Sequence, residues 1–204
     1  MVPHATEKLG EWREARSRAG RMLVAVDFDG TLAPIVERPE AATIHEEGPA
    51  VLRELAARPD TLVAVVSGRV LADVRARVGV GEVYYAGNHG MEIAGPDLAH
   101  VLPEAAEARP QLEDCVEGLR AALAAVSGVI LEDKGLTLSV HYRLVTDPEV
   151  AADVRVRVAE LCGAFQGLRI TEGKEVVEVR PDVAWDKGLA TRHLLESLLG
   201  PAAA

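Results

Sequence analysis

Three short runs of apolar, mostly β-branched residues constrain the fold most strongly, because each of them ends abruptly in a polar or glycine-containing loop. The runs cover residues 22–26, 62–66 and 83–86. The segment after the second run places Val70, Val74 and Val78 at helical spacing before a glycine. Strands that alternate with helices predict a parallel sheet with right-handed crossovers. Ligands of such sheets bind where the strands end, so an α/β fold with its site in these loops is expected.

From residue 97 onward the pattern changes and predicts a different module. Its elements follow in the order αββαββ: a helix that starts near Pro110, strands at 129–133 and 136–143, a helix capped by Asp147, and strands at 168–171 and 175–180. Strand 136–143 alternates apolar and polar residues, which predicts an antiparallel sheet with one face on helices and one polar face. A last helix with Asp186 as its N-cap is expected to rejoin the first module. We therefore predict a core domain (residues 1–96 and 182–204) and an inserted cap domain (residues 97–181).

Charge and cysteine content exclude several classes of function. The 204 residues carry 22 basic and 32 acidic side chains, a net charge of −10, which argues against nucleic acid or an anionic membrane surface as a partner. No run of eighteen apolar residues occurs, and we expect a cytoplasmic protein. Cys115 and Cys162 are too few for a disulfide framework and have no CxxC spacing, so two buried free thiols are expected.

Asp27 and Asp29 follow the first predicted strand and are succeeded by Gly30, which permits a tight turn. Two carboxylates in one loop repel each other and need a cation, a proton or both. This arrangement suits metal-assisted phosphoryl or acyl transfer with one nucleophile and one acid/base. The alternative is an Asx turn that only caps the next helix.

The stretch Asp-Phe-Asp-Gly-Thr-Leu at 27–32 resembles the first motif of the haloacid dehalogenase superfamily, and Ser-Gly-Arg at 67–69 resembles its second. Five further stretches are similar to those of trehalose-6-phosphate phosphatases. They are Gly-Asn-His-Gly at 87–90, Glu-Asp-Lys-Gly at 132–135, His-Tyr-Arg at 141–143, the run from Gly173 to Pro181, and Asp-Lys-Gly at 186–188. The resemblance extends over residues 20–195 and implies a Rossmann-like core with an inserted cap.

The resemblance implies roles for four side chains. Asp27 would attack phosphorus and form an aspartyl-phosphate, and Asp29 would act as acid and then as base. Mg²⁺ would bind the Asp27 carboxylate and the backbone carbonyl of Asp29. Ser67 and Lys187 would contact the transferring phosphoryl group. A helix N-cap is the other interpretation of Ser67, and a solvated lysine in the first helical turn is the other interpretation of Lys187.

The resemblance also assigns the polar face of the cap to the sugar. The residues expected to bind substrate are Glu132, Arg143, Lys174 and Glu178 in the cap, and Thr31, Gly68, Arg69, Asn88 and His89 in the core. Alternation alone would equally allow a solvent-exposed polar face, which antiparallel sheets commonly have. His141 fits an ordinary cross-strand polar residue.

One departure from the family pattern concerns its fourth, acidic motif, which follows one more core strand beyond the helix that starts at Lys187. The sequence has no acidic residue after Gly200. We therefore expect a core one strand short, a magnesium site with fewer carboxylates and an exposed edge along residues 22–26 as an association site. The expected activity is hydrolysis of trehalose 6-phosphate. The alternatives are a chain that binds sugar phosphate without turnover and a phosphatase for another sugar phosphate.

Overall fold

Two β-sheets organise the chain in the computed structural model, which describes residues 5–36 and 38–200. The strands of the first sheet, in their spatial order, are β1 (Met22–Asp27), β2 (Thr61–Val66), β3 (Tyr84–Gly87), β4 (Glu92–Ala94) and β5 (Ala99–Val101). The first three run parallel, as predicted. The antiparallel strands β4 and β5 extend the sheet, and their three-residue length left no readable alternation in the sequence.

The helices are α1 (Leu9–Ala19), α2 (Gly48–Ala56), α3 (Leu71–Val78), α4 (Pro103–Glu107), α5 (Arg109–Leu123), α6 (Pro148–Cys162) and α7 (Lys187–Leu199). Short 3-10 turns lie at Ala5–Lys8, Pro39–Ala41 and Asn88–Gly90. Alternate residues of β2 face opposite sides of the first sheet. Val63 and Val65 pack with Leu52 of α2 and Val74 of α3, whereas its other face packs against Leu194 of α7. Helices therefore cover both faces of β2, as a parallel sheet requires.

The second sheet confirms the predicted order αββαββ. Its strands are β6 (Ile130–Asp133), β7 (Leu138–His141), β8 (Leu168–Gly173) and β9 (Val176–Pro181), all antiparallel and arranged β6-β7-β9-β8. Its apolar face meets α5 and α6, where Leu119, Leu138, Val158 and Val179 are fully buried. The opposite, polar face of this sheet turns toward the first sheet and becomes the roof of a cleft.

The junction between the two modules lies later than the sequence suggested. Ala99–Val101 falls within the range predicted as cap, yet it pairs with β4 in the first sheet. Gly95 and Pro96, read from the sequence as a domain boundary, instead belong to the hairpin loop between β4 and β5, where Gly95 N–H donates to the carbonyl of Leu98. We therefore place the start of the cap after Val101. Residues 201–204 of the predicted core lie outside the described residues.

The cysteines correct one sequence-based expectation. Cys115 of α5 and Cys162 of α6 are buried, as expected, but the structure pairs them as a disulfide where two free thiols were predicted. The two residues are 47 positions apart, so nothing local in the sequence signals the pairing. It follows from the packing of α5 against α6.

Strand β1 forms one edge of the first sheet within residues 5–36 and 38–200. Association through this edge stays a prediction. Among the helices of the described residues, none combines the length and the apolar character needed to cross a membrane.

Candidate active site

Asp27 and Lys187 meet at the carboxyl end of β1, although 160 positions separate them in the sequence. Asp27 is the last residue of β1, and Lys187 is the first residue of α7, after the N-cap Asp186. Lys187 Nζ donates to Asp27 Oδ2 at 2.7 Å, and the backbone N–H of Phe28 donates to Oδ1 at 2.8 Å. Both carboxylate oxygens are therefore held. The side chain of Asp27 remains 41% exposed and that of Lys187 39%.

Asp29 lies in the tight turn that follows, and Arg69 holds its carboxylate with two hydrogen bonds. Arg69 Nε donates to Oδ2 at 2.9 Å, and Nη2 donates to Oδ1 at 2.7 Å. Gly30 adopts φ 83°, which a residue with a side chain rarely adopts, and its N–H donates to the carbonyl of Ala33. The Asx-turn interpretation therefore does not account for Asp29, because its side chain binds a distant arginine.

Ser67 and Gly68 form the loop after β2. Ser67 is fully buried, and its Oγ accepts a hydrogen bond from the backbone N–H of Arg69 at 3.1 Å. Helix α3 has Val70 as its N-cap, so Ser67 does not cap that helix directly. A Cβ at position 68 would lie 2.8 Å from Cε1 of His89, so this glycine lets the imidazole approach the loop.

The roof of the cleft is a chain of alternating acidic and basic side chains from the cap. His141 Nε2 lies 2.9 Å from Glu132 Oε2, and Lys134 Nζ lies 3.7 Å from both Glu132 and Glu178. Glu178 in turn lies 3.1 Å from His89 Nε2 of the core. Glu178 and Lys134 are only 19% and 10% exposed. A freely solvated polar face would leave them open to water, so this face is built against the core.

Both glutamates of the roof have lowered pKa values. The hydrogen bond from His141 is the main cause for Glu132, and the charges of Lys134 and Arg69 add to it, whereas burial opposes the shift. For Glu178, burial by itself would raise the pKa, but the hydrogen bond from His89 and the charges of Lys134 and Arg180 outweigh it. Both carboxylates are therefore ionised acceptors, suited to sugar hydroxyl donors.

Two adjoining cavities lie between core and cap. The inner one, of about 340 Å³, is lined by Asp29, Gly68, Arg69, His89, Lys134 and Glu178 among others. The outer one, of about 690 Å³, is lined by residues 38–40 of the core and by Glu132, His141, Arg143 and Lys174 of the cap. Glu132 and His141 line both cavities. Together the cavities are large enough for a sugar phosphate that reaches from Asp29 to the outer cap residues.

The predicted site residues are not all in the cleft. Asn88, predicted to bind substrate, is fully buried, and its side chain bonds Glu92, the carbonyl of Lys134 and Thr137 instead of facing either cavity. Thr31 is exposed in the turn after β1, and its N–H donates to the carbonyl of Phe28. Arg143 lies beyond the end of β7, on which it was predicted, and its Nε donates to Glu175 at 2.9 Å.

Sequence reasoning missed two residues of the roof. Lys134 lies in the turn between β6 and β7. A charged residue is common in a turn, so the charge alone did not mark this lysine as functional. His141 is the cross-strand polar residue that the sequence allowed, with Glu132 of β6 as its partner, but it also lines both cavities. The strand parity that put Glu178 on the polar face would have found His141 as well, because Ser139 pairs with Glu178 and His141 is two residues farther along β7.

The donor set around Asp27 fits a small, hard cation. The Asp27 carboxylate and the backbone carbonyl of Asp29, which the resemblance implied as ligands, would supply oxygen atoms of the kind that Mg²⁺ prefers. No group of three or more His, Cys, Asp or Glu side chains arranged to hold a metal occurs in the described part of the chain. A cation held here would therefore rely on few protein ligands and on oxygens of substrate and water, as Mg²⁺ commonly does.

Comparison with known proteins agrees with this geometry. The trehalose-phosphatase family matches residues 25–201. An uncharacterized glycosyl hydrolase of Mycobacterium tuberculosis is 46% identical over 183 residues, which cover 89% of this chain and 13% of that protein. The trehalose-phosphate phosphatase of Mycobacterium marinum is 42% identical over 201 residues, which cover 97% of this chain and 49% of that protein. The chain thus spans half or less of the length of these relatives.

A solved structure shares the fold. The C-terminal domain of trehalose-6-phosphate phosphatase from C. albicans superposes with a TM-score of 0.73 at 24% identity, over 89% of this chain and 64% of that one. At this identity the likeness concerns the fold, including the inserted cap. With the family match over most of its length and close relatives above 40% identity, the chain belongs to the trehalose-phosphatase family.

Proposed function

We propose that the chain hydrolyses trehalose 6-phosphate to trehalose and phosphate through an aspartyl-phosphate intermediate. The observation that carries the proposal is the contact between Asp27 and Lys187, with Asp29 two residues away, beneath a roof of ionised hydrogen-bond acceptors. Membership of the family and relatives named trehalose-phosphate phosphatase support the choice of substrate.

In the first step, Asp27 forms a bond to phosphorus while the bond between phosphorus and the sugar oxygen breaks. Asp29 donates a proton to that oxygen, and trehalose leaves as a neutral alcohol. In the structure Arg69 holds both oxygens of the Asp29 carboxylate, so the protonated acid has to release one of these hydrogen bonds when it donates to the sugar oxygen.

In the second step, water attacks phosphorus, Asp29 takes up a proton from that water, and the bond from phosphorus to Asp27 breaks to release phosphate. Lys187, at 2.7 Å from Asp27, offsets the negative charge that builds up on the transferring group. Mg²⁺, held by the Asp27 carboxylate and the Asp29 carbonyl, would supply further charge neutralisation during both steps. The buried Ser67 holds the loop that carries Arg69.

The sugar is assigned to the two cavities between core and cap. Glu132 and Glu178 accept hydrogen bonds from hydroxyl groups, and Arg143 and Lys174 border the outer cavity as donors. His89, which reaches Glu178 from the core, lines the inner cavity. A disaccharide suits two adjoining cavities. The ring that carries the phosphate would occupy the inner cavity, and the second ring would reach the residues that line the outer cavity.

The test is phosphate release from trehalose 6-phosphate in the presence of Mg²⁺. Replacement of Asp27 by Asn removes the nucleophile with little change in shape, and we expect the rate to fall by about a thousandfold or more. The matched control is Asp114→Asn on the exposed face of α5, which should leave the rate unchanged. Circular dichroism should show both variants folded.

Other outcomes distinguish the alternatives. Binding of trehalose 6-phosphate in a calorimeter, without phosphate release at saturating Mg²⁺, would indicate a sugar-phosphate-binding chain. Hydrolysis of other sugar phosphates in preference to trehalose 6-phosphate would change the substrate and keep the chemistry. The cytoplasmic location expected from the composition stays a prediction.

A further inference from the structure

Arg69, Asp73 and Arg77 form a continuous row of charges along α3 and the residues before it. Asp73 and Arg77 are four residues apart and share one face of α3. Arg69 precedes the N-cap Val70, and its side chain reaches Asp73 from there. Arg69 Nη1 donates to Asp73 at 3.1 Å, and Arg77 Nε lies 2.8 Å from both oxygens of the same carboxylate. Asp73 therefore links two guanidinium groups whose outer ends point toward other segments.

The outer ends of both arginines bind the same short segment of the core, residues 38–42, which we call the wall loop. Arg69 Nη2 donates to the carbonyl of Pro39 at 2.9 Å. Arg77 Nη1 donates to the carbonyls of Glu40 at 3.1 Å and Ala42 at 2.6 Å. Three backbone carbonyls of the wall loop are thus held by one row of side chains.

The wall loop is also a wall of the substrate cavities. Residues 38–40 line the outer cavity opposite Glu132 and Lys174 of the cap, and Pro39 lines the inner cavity as well. Its position sets the distance across the outer cavity. Within the wall loop, the backbone N–H groups of Ala41 and Ala42 donate to the carbonyls of Arg38 and Pro39. A single 3-10 turn of this kind gives the loop little rigidity of its own.

An ordinary surface salt bridge would not account for this arrangement. Exposed ion pairs at helical spacing contribute little, but the Arg69 side chain is only 11% exposed and that of Arg77 21%. Each nitrogen of Arg69 is engaged, and its guanidinium lies 5.2 Å from the centre of the Phe28 ring. The row connects Asp29, the wall loop and α3, which are three separate parts of the chain.

We propose that Asp73 and Arg77 are positioning residues for substrate binding: they hold the wall loop, with Arg69, at the width that the sugar of the substrate requires. The proposal deepens the proposed function and rests on it for the identity of the substrate. Arg77 acts on the loop directly, through Glu40 and Ala42. Asp73 acts through the two arginines that it orients.

The central variant is Arg77→Met, which keeps most of the apolar stem and removes every donor. The matched control is Arg75→Met, because Arg75 lies on the exposed face of the same helix. Two readouts are needed: amide hydrogen exchange at Ala41 and Ala42 in the ligand-free protein, and the steady-state kinetics of phosphate release. The substrates are trehalose 6-phosphate and p-nitrophenyl phosphate, whose leaving group is too small to fill the outer cavity, where residues 38–40 form the wall.

For Arg77→Met we expect exchange at Ala41 and Ala42 to be about tenfold faster, the equivalent of one lost charge-assisted hydrogen bond. KM for trehalose 6-phosphate should rise about tenfold with kcat nearly unchanged, since a wall contributes binding rather than chemistry. KM for p-nitrophenyl phosphate should not change. Arg75→Met should match the wild type, Arg77→Lys should recover part of the loss, and Asp73→Asn should shift both readouts in the same direction.

Unchanged exchange at Ala41 and Ala42 in Arg77→Met would overturn the proposal, and so would faster exchange with an unchanged KM for trehalose 6-phosphate. An equal loss with both substrates would also overturn it, because the defect would then lie in the chemistry. Absence of turnover in the wild type would instead contradict the proposed function. Hydrogen exchange, with calorimetric binding of trehalose 6-phosphate in place of KM, would then decide the role of the row.

Discussion

Glu132 owes its lowered pKa mainly to one neighbour. Its carboxylate is 40% exposed, yet its pKa is lowered, mainly because His141 Nε2 lies 2.9 Å from it. Lys134 is farther away, at 3.7 Å. His141 therefore orients an acceptor that lines both the inner and the outer cavity and contributes most to its lowered pKa.

Replacement of His141 by Leu should weaken substrate binding without slowing the chemistry. The change removes the hydrogen bond that orients Glu132, and we expect KM for trehalose 6-phosphate to rise about tenfold, the usual cost of one lost hydrogen bond to a charged group. Steady-state phosphate release measures it. His141→Gln retains an N–H donor and should lose less. An equal loss in both variants would show that the imidazole ring, and not its hydrogen bond, supports the site.

At the scale of elements, α7 and β5 meet through two histidines. The rings of His100 on β5 and His193 on α7 lie 4.4 Å apart between their centroids, with Trp185 edge-on to His193. Burial lowers the pKa of His100, the charge of His193 lowers it further, and Glu104 opposes the shift. The contact matters for the site because α7 begins at Lys187.

The stability of this contact should depend on pH. A lowered pKa means that the folded chain binds a proton less readily than the unfolded chain, so stability is complete above about pH 6.5 and declines as the pH falls below it. The midpoint of thermal unfolding is measured at pH 7.5 and at pH 5.5. We expect the midpoint to be lower at pH 5.5, and we expect this decrease to be about 2 °C smaller in His100→Gln than in the wild type. The control is the exposed His45→Gln. A drop identical in all three proteins would contradict the prediction.

The elements that were predictable from the sequence are those with a long or repeated local pattern. The sequence shows a run of valines in β2 and an apolar alternation at Leu138 and Val140 in β7. Both patterns are recognisable because these side chains face a buried layer. The hairpin of β4 and β5 was not predictable, since three-residue strands are defined by their partners. The disulfide between α5 and α6 was not predictable either, because it depends on the packing of two helices that are distant in the sequence.

The candidate site also has a part that the sequence predicted and a part that it did not. Asp27 and Lys187 follow recognisable motifs, and the structure brings them into contact. Contacts between side chains that are distant in sequence, such as those of Arg77 with the wall loop, depend on how α3 packs beside the loop after β1. No local sequence pattern encodes how close Arg77 comes to the wall loop, so this contact could be found only in the three-dimensional structure.

At the scale of the whole molecule, the structure has to hold a cap over a core while leaving a cleft between them. A small apolar cluster that includes Met91, Leu102 and Leu136 packs at the joint. Beside it, Asn88 adopts φ 47° and His89 adopts φ 58°, in the left-handed region that residues other than glycine rarely occupy. This conformation lets Asn88 reach the cap and His89 reach Glu178.

The hydrogen bond from Thr137 Oγ1 to Asn88 Oδ1, at 3.2 Å, is fully buried at this joint. Thr137→Val keeps the shape of the side chain but leaves the Asn88 oxygen without that donor. We expect the free energy of unfolding to fall by about 1–2 kcal/mol, as measured by urea denaturation. Thr171→Val, at an exposed position of β8, is the matched control and should change it by less than about 0.5 kcal/mol. If both variants lose the same free energy, the joint depends on its apolar cluster and not on Asn88. If only Thr137→Val is destabilised, the buried hydrogen bond between Thr137 and Asn88 helps to hold the cap on the core.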